Sequence, residues 1–285
     1  MKLRKIKMPK INWKKIRVVS VWVLGVSGIL LTLGFVDKEQ QNMKCKGLTI
    51  SINDENGNEF ITKDDVLDLL NGRGKYPVGK RLHDINTGVL EKLICSNSYV
   101  ANAEVFSTIN GELAIDIRQR NPLIRIININ DEHFYIDDKG KFMPVSLNYS
   151  APVIAANGFI TNTYAEQCIV ENNSSETDSA TGRPILNQLY ELALFLTRNP
   201  FWNAQIEQVY VNQSLEMELW PRIGNHKIIL GDDAHLEEKF SKLYSFYKEG
   251  LNKKGWNEYS VINLKFDKQV VCTRQDAEKF LQKNQ

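Results

Sequence analysis

The feature that most constrains this chain is an uninterrupted apolar run, residues 18–36, in which nineteen residues carry no charge. As a helix such a run reaches about 28 Å, close to the hydrocarbon thickness of a bilayer. A cleaved signal peptide is one alternative, but the run is longer than a typical signal core and no A-x-A-like cleavage site follows it. A buried core helix rarely lacks every charge for so long. The run therefore predicts a single transmembrane helix.

The charge distribution predicts the orientation of that helix. The first 17 residues hold eight cations and no acid: Lys2, Arg4, Lys5, Lys7, Lys10, Lys14, Lys15 and Arg17. Because cationic flanks stay in the cytoplasm, residues 1–17 are predicted to be a cytoplasmic tail, with the C-terminal bulk outside. The rest of the chain has 28 cations against 34 acids, which disfavours a polyanion-binding surface on the main body.

The four cysteines lie in the part of the chain predicted to face an oxidising compartment: Cys45, Cys95, Cys168 and Cys272. They form no C-x-x-C motif, and their spacings are irregular. Four cysteines allow three complete pairings, among which the sequence does not choose. Four separate small hydrophobic side chains remain an equal alternative.

Residues 37–46 are interpreted as a short polar linker, and residues 47–121 as a small α+β domain. Its first strand is predicted from the β-branched alternation in GLTISIND. A helix should follow in ITKDDVLDLLNGRG, with Thr62 as its N-cap, Asp65 completing a capping box and Gly72 just past its end.

A second helix is predicted in HDINTGVLEKLICSN from apolar residues at helical spacing. Asn110 and Gly111 then predict a hairpin with a two-residue turn at positive φ. The order strand, helix, helix, strand, strand predicts two helices on one face of a three-stranded sheet.

The stretch HFYIDDKGKFMPVS, residues 133–146, raises the question of a catalytic or metal site. Asp137 and Asp138 are adjacent carboxylates, but no histidine or third acid accompanies them at ligand spacing. Aspartate bonds readily to turn backbone, and Gly140 suits a left-handed position. The stretch is therefore interpreted as a hairpin turn.

Residues 122–274 are interpreted as a second, β-rich domain that begins at Pro122, followed by a polar C-terminal tail, 275–285. Two amphipathic helices are predicted within the domain, after Pro184 and after Asp232. Residues 171–183 are polar and predict a solvated loop that is dispensable for folding. Asp178-Ser179-Ala180 also resembles a three-residue bacterial O-glycosylation signal; because so short a match often arises by chance, the solvated loop is favoured, and the intact mass of the native protein would decide.

The order of these parts resembles the FtsQ/DivIB family of bitopic cell-division proteins. A POTRA-like domain after one membrane span, then a basic residue and a proline before a strand, YIDDKG and a return strand ending at Pro144 follow that pattern over essentially the whole chain. The resemblance implies α+β architecture: one transmembrane helix, a POTRA-like βααββ domain and a curved, mainly antiparallel sheet with packed helices. It implies a non-enzymatic scaffold in the inner membrane at the septum, with the periplasmic bulk binding FtsB and FtsL.

The resemblance also places the partner site on the last strand, predicted within EYSVINLKFDKQVVC. There Ile262-Asn263-Leu264-Lys265-Phe266 matches the family's terminal strand, whose edge accepts a strand from FtsB. Lys268 and Gln269 depart from the small residues frequent in the family. The predicted partner-binding residues are Lys265, Phe266, Lys268, Gln269, Val270 and Val271. An ordinary edge protected by its lysines is the alternative.

The sequence shows no recognisable catalytic motif and predicts no cofactor or metal. The four histidines are scattered: His83, His133, His226 and His235. None forms H-E-x-x-H or pairs with cysteine at zinc spacing, and G-x-S-x-G is absent from the sequence. The alternative function is a membrane-anchored enzyme acting on peptidoglycan through an unfamiliar site.

Overall fold

The structure is a computed structural model that describes residues 20–28, 43–53, 57–166 and 184–275. Residues 20–28 are helical and exposed. Within these four ranges, no helix combines the length and apolar content needed to cross a bilayer. The predicted cytoplasmic tail, the flanks of the 18–36 run, the 171–183 loop with Cys168 and nearly all of the C-terminal tail lie outside the described residues.

The chain divides into two compact units. Among the described residues, the smaller unit contains those up to Ser51, Leu67–Ile94 and Ala103–Asp116, and the larger contains those of Ile52–Val66, Cys95–Asn102 and the described positions from Ile117 onward.

The predicted βααββ order is confirmed in the first part of the chain. The elements are β1 (Leu48–Asn53), α1 (Lys63–Gly72), α2 (Thr87–Ile94), β2 (Val100–Ser107) and β3 (Leu113–Gln119). Within the described ranges, the three strands form one sheet in the order β1-β3-β2. Leu113, Ile115 and Ile117 are buried as predicted.

The start of α1 is built by a capping box, as predicted. The Thr62 N–H donates to the Asp65 carboxylate at 2.8 Å, and the Asp65 N–H donates to the Thr62 hydroxyl at 3.2 Å. The helix ends at Gly72, one residue later than expected. These reciprocal bonds satisfy helix-terminal N–H groups that would otherwise lack partners.

Two local predictions in this region are wrong. The second helix is divided into a 3₁₀ turn, Leu82–Asp84, and α2, because Asn86 accepts the Val89 N–H at 3.1 Å and starts a new helix. The β2–β3 turn has three residues instead of two, since Thr108 N–H donates to the Glu112 carbonyl at 2.8 Å. There Gly111 has φ +85°, whereas Asn110 is not at positive φ.

The large sheet occupies the second part of the chain. Its strands are β4 (Pro122–Ile127), β5 (His133–Asp137), β6 (Phe142–Pro144), β7 (Ile154–Gly158), β8 (Ile206–Val211), β9 (Met217–Pro221), β10 (Lys227–Gly231), β11 (Tyr259–Asn263) and β12 (Val271–Arg274). Among the described residues the order is β12-β11-β10-β9-β8-β7-β4-β5-β6. Three neighbouring pairs are parallel (β10–β11, β4–β7 and β7–β8) and the other five are antiparallel, so the sheet is mixed with antiparallel pairing predominant.

Helices cover one face of the large sheet. They are α3 (Ile185–Arg198), α4 (Pro200–Gln205) and α5 (Leu236–Phe246), followed by a π-helix (Tyr247–Leu251) and a short α6 (Asn252–Lys254). The predicted inward residues of α3 are all buried: Ile185, Leu189, Leu192 and Leu196. They join strand residues such as Val209 and Ile228 in one hydrophobic core. Burial of this stripe holds the helices against the core-facing side of the sheet.

Candidate partner-binding edge

The predicted last strand is two strands joined by a turn. β11 ends at Asn263, residues 264–270 form the turn, and β12 begins at Val271. The Asn263 side chain accepts the Lys265 N–H at 3.0 Å, and Lys268 adopts a left-handed φ of +55°. These two features break the extended backbone, so the prediction of one continuous strand is wrong.

This hairpin changes the position of the predicted site residues. Lys265, Phe266, Lys268, Gln269 and Val270 lie in the turn, and only Val271 belongs to a strand. The alternative interpretation expected the two lysines to protect the edge strand. Both lie in the turn and not on that strand.

The turn is held to neighbouring parts of the larger unit by three contacts. The Leu264 N–H donates to the Ile229 carbonyl at 2.9 Å, which continues β11 beside β10. Lys265 forms an ion pair with Glu216, and the Lys242 ammonium donates to the Phe266 carbonyl at 2.8 Å. Lys265 is thus already engaged within the chain, whereas the Phe266 side chain is exposed.

β12 is the terminal strand of the large sheet, and its backbone alternates between two directions. The Gln275 N–H donates to the Glu258 carbonyl at 3.1 Å, and β12 pairs antiparallel with β11, with Thr273 opposite Val261. In an antiparallel ladder every second residue points both backbone groups at the neighbouring strand. Val271 and Thr273 therefore point toward β11. The N–H and C=O groups of Cys272 and Arg274 point away from it.

We call these outward groups of Cys272 and Arg274 the open edge. Among the described residues, no strand pairs with β12 on that side. An unpaired row of alternating donors and acceptors is a template for a strand from another chain.

The side chains of β12 divide between the two faces of the sheet. Cys272 packs against the helix-covered core, and burial raises the pKa of its thiol to about 11. Val271 lies on the opposite face and is exposed. A residue of an added strand opposite Cys272 would share its face and point toward the helices.

A shallow groove lies on that helix side, between α5 with the π-helix and the β11–β12 turn. Its volume is about 550 Å³. Phe246 and Val270 supply its apolar surface, and Lys242, Lys253 and Lys268 outnumber the single acid that lines it, Glu249. The groove therefore combines apolar side chains with an excess of positive charge.

The structure thus adds Cys272, Arg274 and the groove residues Lys242 and Phe246 to the six predicted positions. A sequence signal for the hairpin was present: two β-branched runs, SVIN and VVCT, flank the turn-forming residues Asp267 and Lys268. The signal is weak because no glycine or Asn-Gly pair marks the left-handed position.

The second candidate region, Asp137 and Asp138, is a turn as predicted. One oxygen of the Asp137 carboxylate accepts the N–H groups of Lys139 at 3.0 Å and Lys141 at 2.7 Å, and Gly140 has φ +74°. Burial, and next the charge of Asp137, raise the pKa of Asp138. Across the described ranges, no three His, Cys, Asp or Glu side chains are grouped to hold a metal ion.

The partner of Asp137 was not predicted. Its other oxygen accepts a hydrogen bond from Arg120 Nε at 2.8 Å, and the Asp137 and Arg120 side chains are 2% and 11% exposed. Arg120 Nη1 also donates to the carbonyls of Ser98 at 2.9 Å and Phe142 at 3.0 Å. These contacts give Asp137 a structural role at the end of the sheet.

The chain belongs to the class of α+β proteins that combine a POTRA-like part with a large mixed sheet. Comparison with known families supports this class: a model described as a POTRA-like domain matches residues 43–118, and one described as FtsQ/DivIB, C-terminal related, matches residues 121–273. The second match covers more than half of the chain, so the chain belongs to the FtsQ/DivIB-related family. No curated protein sequence matches it.

Family membership indicates a role in cell division. It points to the division septum and to protein partners in the division machinery. The FtsQ/DivIB family is in general non-enzymatic.

Proposed function

We propose that this protein is a non-enzymatic, membrane-anchored scaffold of the division machinery that binds its partner by adding a strand to the open edge. The observation that carries the proposal is the terminal position of β12, with the backbone groups of Cys272 and Arg274 directed outward. Membership of the FtsQ/DivIB-related family supports the setting in cell division. The apolar run at 18–36 and the cationic residues before it support anchoring with the bulk in the periplasm.

The partners proposed from the family resemblance are FtsB and FtsL. An added strand would bond to both backbone groups of Cys272 and of Arg274. Its neighbouring residues would lie over the groove, where Phe246 and Val270 favour an apolar side chain and the three lysines favour an acidic one. The turn residues Phe266, Lys268 and Gln269 are exposed beside this path and complete the proposed contact surface.

The strand-addition proposal is tested by proline at position 274, with purified FtsB as the probe. Arg274→Pro removes an outward N–H that β11 does not use, so the fold should retain cooperative melting near its original temperature. The added strand loses one backbone bond and meets the proline ring, so FtsB affinity should fall at least about tenfold.

Two variants control this experiment. Arg274→Ala keeps the N–H and removes only the side chain, so it should retain most of the affinity. Thr273→Pro removes an inward N–H that pairs with β11, so its main effect should be lower stability. If FtsB binds the Arg274→Pro variant as tightly as the original protein, the partner docks elsewhere and the site assignment is wrong.

Anchoring and orientation are tested separately, in cells. A reporter that is active only outside the cytoplasm, fused after residue 285, should be active. Activity of a cytoplasm-only reporter at the same position would contradict the proposed topology without bearing on the open edge.

A further inference from the structure

A buried histidine lies beside the end of β12. His226 is 3% exposed, and its Nε2 lies 3.0 Å from the hydroxyl oxygen of Tyr247, the first residue of the π-helix. Gly224 packs tightly against the imidazole, because a Cβ atom at that position would come within 2.5 Å of the ring. The loop 224–226, just before β10, therefore packs closely around the neutral imidazole of His226.

The same loop holds the residue that follows β12. The Gln275 side chain donates from Nε2 to the carbonyl of Asn225 at 3.1 Å, immediately before His226. The Gln275 N–H donates to Glu258. The end of the open edge is therefore tied to the His226 loop by one side-chain bond and to the residue before β11 by one backbone bond.

The groups that face His226 are neutral. Tyr247 comes from the π-helix, and burial raises the pKa of its hydroxyl well above the usual range. The Trp256 backbone lies on the other side of the ring, where Nδ1 is buried without a well-formed hydrogen bond among the described residues. The adjacent residue, Lys227, pairs with Glu218, and Arg274 lies near Glu258, so these charges have their own partners.

This environment opposes a charged imidazole. Burial lowers the pKa of His226, and the Trp256 carbonyl counteracts only part of that effect. Since the folded pKa lies below the unfolded value of about 6.5, the stabilising contribution of neutral His226 is complete above that pH. It is lost as the pH falls toward the lowered folded pKa.

We propose that His226 is a pH-sensitive latch for the open edge. Protonation separates the 224–226 loop from Tyr247 and Trp256, which moves the Asn225 carbonyl away from Gln275 and loosens the end of β12. The consequence for the partner rests on the proposed function: a looser β12 presents a less ordered template, so partner binding weakens in mildly acidic conditions.

The test measures the order of β12 without any partner. Hydrogen exchange of the full-length protein in mild detergent is followed by mass spectrometry at about pH 7.5 and about pH 5, and rates are expressed as protection factors that remove the intrinsic effect of pH. Peptides covering 257–275 should lose protection about fivefold at the lower pH, the effect expected from losing one hydrogen bond. Peptides from α3, which lies outside the latch, should lose much less.

His226→Gln cannot be protonated and should abolish that difference, whereas the matched variant His83→Gln removes an exposed histidine and should preserve it. If His226→Gln does not fold, Gln275→Ala provides the second test: it should lower protection of 257–275 at both pH values and remove most of the pH response. An equal pH response in His226→Gln, or no response in the original protein, would overturn the latch.

Affinity for purified FtsB at the two pH values separates the latch from the proposed function. A decrease at low pH that His226→Gln removes supports the regulatory role. Changed protection with unchanged affinity would overturn it. If FtsB does not bind at either pH, the proposed partner is wrong, and the exchange data still decide whether the latch exists.

Discussion

The two ends of the large sheet differ in how their backbone groups are used. At one end, β6 points the backbone of Phe142 and Pro144 outward, because the Asp137 N–H pairs with the Lys141 carbonyl and fixes the alternation. Pro144 has no N–H to offer, and the Phe142 carbonyl accepts from Arg120 at 3.0 Å. We call this the closed edge. At the other end, the outward groups of Cys272 and Arg274 form the open edge.

The difference separates fold maintenance from recognition. The segments beside the closed edge are also held by an aromatic cluster of the larger unit, in which Phe60 packs against Tyr99, Tyr135 and Tyr149. The open edge has no comparable cover among the described residues, and it carries a charged residue, Arg274, which discourages unspecific strand pairing. A sheet that closes one edge with buried contacts can offer the other without losing its own stability.

The largest expected effect is at the closed edge. Arg120→Ala leaves the Asp137 carboxylate buried without its cation, and Asp137→Ala leaves the guanidinium unpaired, so each should cost about 3–5 kcal/mol in the free energy of unfolding. Asp137→Asn keeps an oxygen for the Lys139 and Lys141 N–H groups and isolates the loss of charge. Chemical denaturation measures all three. Losses below about 1 kcal/mol would show that the ion pair does not hold this edge.

A smaller effect, at the open edge, concerns thiol reactivity. Cys272 is half-buried with a pKa of about 11, so its thiolate is scarce at neutral pH, whereas Cys95 is exposed. Alkylation of Cys272 should be at least about tenfold slower than that of Cys95, because the thiolate is the reacting species and burial also limits access to Cys272. Mass spectrometry of the modified peptides measures both rates in one sample. Comparable rates would mean that β12 detaches from β11 frequently.

Tyr99→Phe should weaken the closed edge by about 1 kcal/mol, the usual contribution of one hydrogen bond. The Tyr99 hydroxyl donates to the Val145 carbonyl at 3.1 Å, directly after β6, and the substitution leaves the ring stacked on Phe60. Thermal melting of the two proteins provides the measurement. A variant as stable as the original would show that solvent replaces this bond without cost.

The smallest expected effect is at Asp138. Its folded pKa is raised, so the stability that its protonated form provides is present at low pH and is lost as the pH rises through the folded pKa. Asp138→Asn should therefore stabilise the protein near neutral pH, by less than about 0.5 kcal/mol because the side chain is exposed. The gain should disappear below about pH 3.8, which denaturation at two pH values would detect. A gain independent of pH would exclude this electrostatic cause.

Features determined by neighbouring residues could be predicted from the sequence. The capping box of Thr62 and Asp65, the inward stripe of α3 and the turn at Asp137–Gly140 all depend on residues a few positions apart. In each of these features the local backbone geometry favours one type of side chain at a fixed spacing, and that spacing is visible in the sequence.

Features that join distant residues could not be predicted. Arg120 and Asp137 are separated by 17 positions, and no sequence pattern in either segment predicts that their side chains pair. The division at Asn263 was missed because Lys268 occupies a left-handed position where glycine or asparagine is typical. The open edge itself follows from the order of strands, which places Cys272 and Arg274 at the end of the sheet.

The double role of Asp137 constrains the order in which related sequences can diverge at this edge. The carboxylate both closes the turn through Lys139 and Lys141 and neutralises Arg120. A lineage that first loses Arg120 passes through a buried, unpaired anion, the more costly intermediate. A lineage that first acquires asparagine at 137 preserves the turn and weakens the selection that retains arginine at 120. Related sequences should therefore show asparagine with arginine more often than aspartate without it, a bias that an alignment of this family can test.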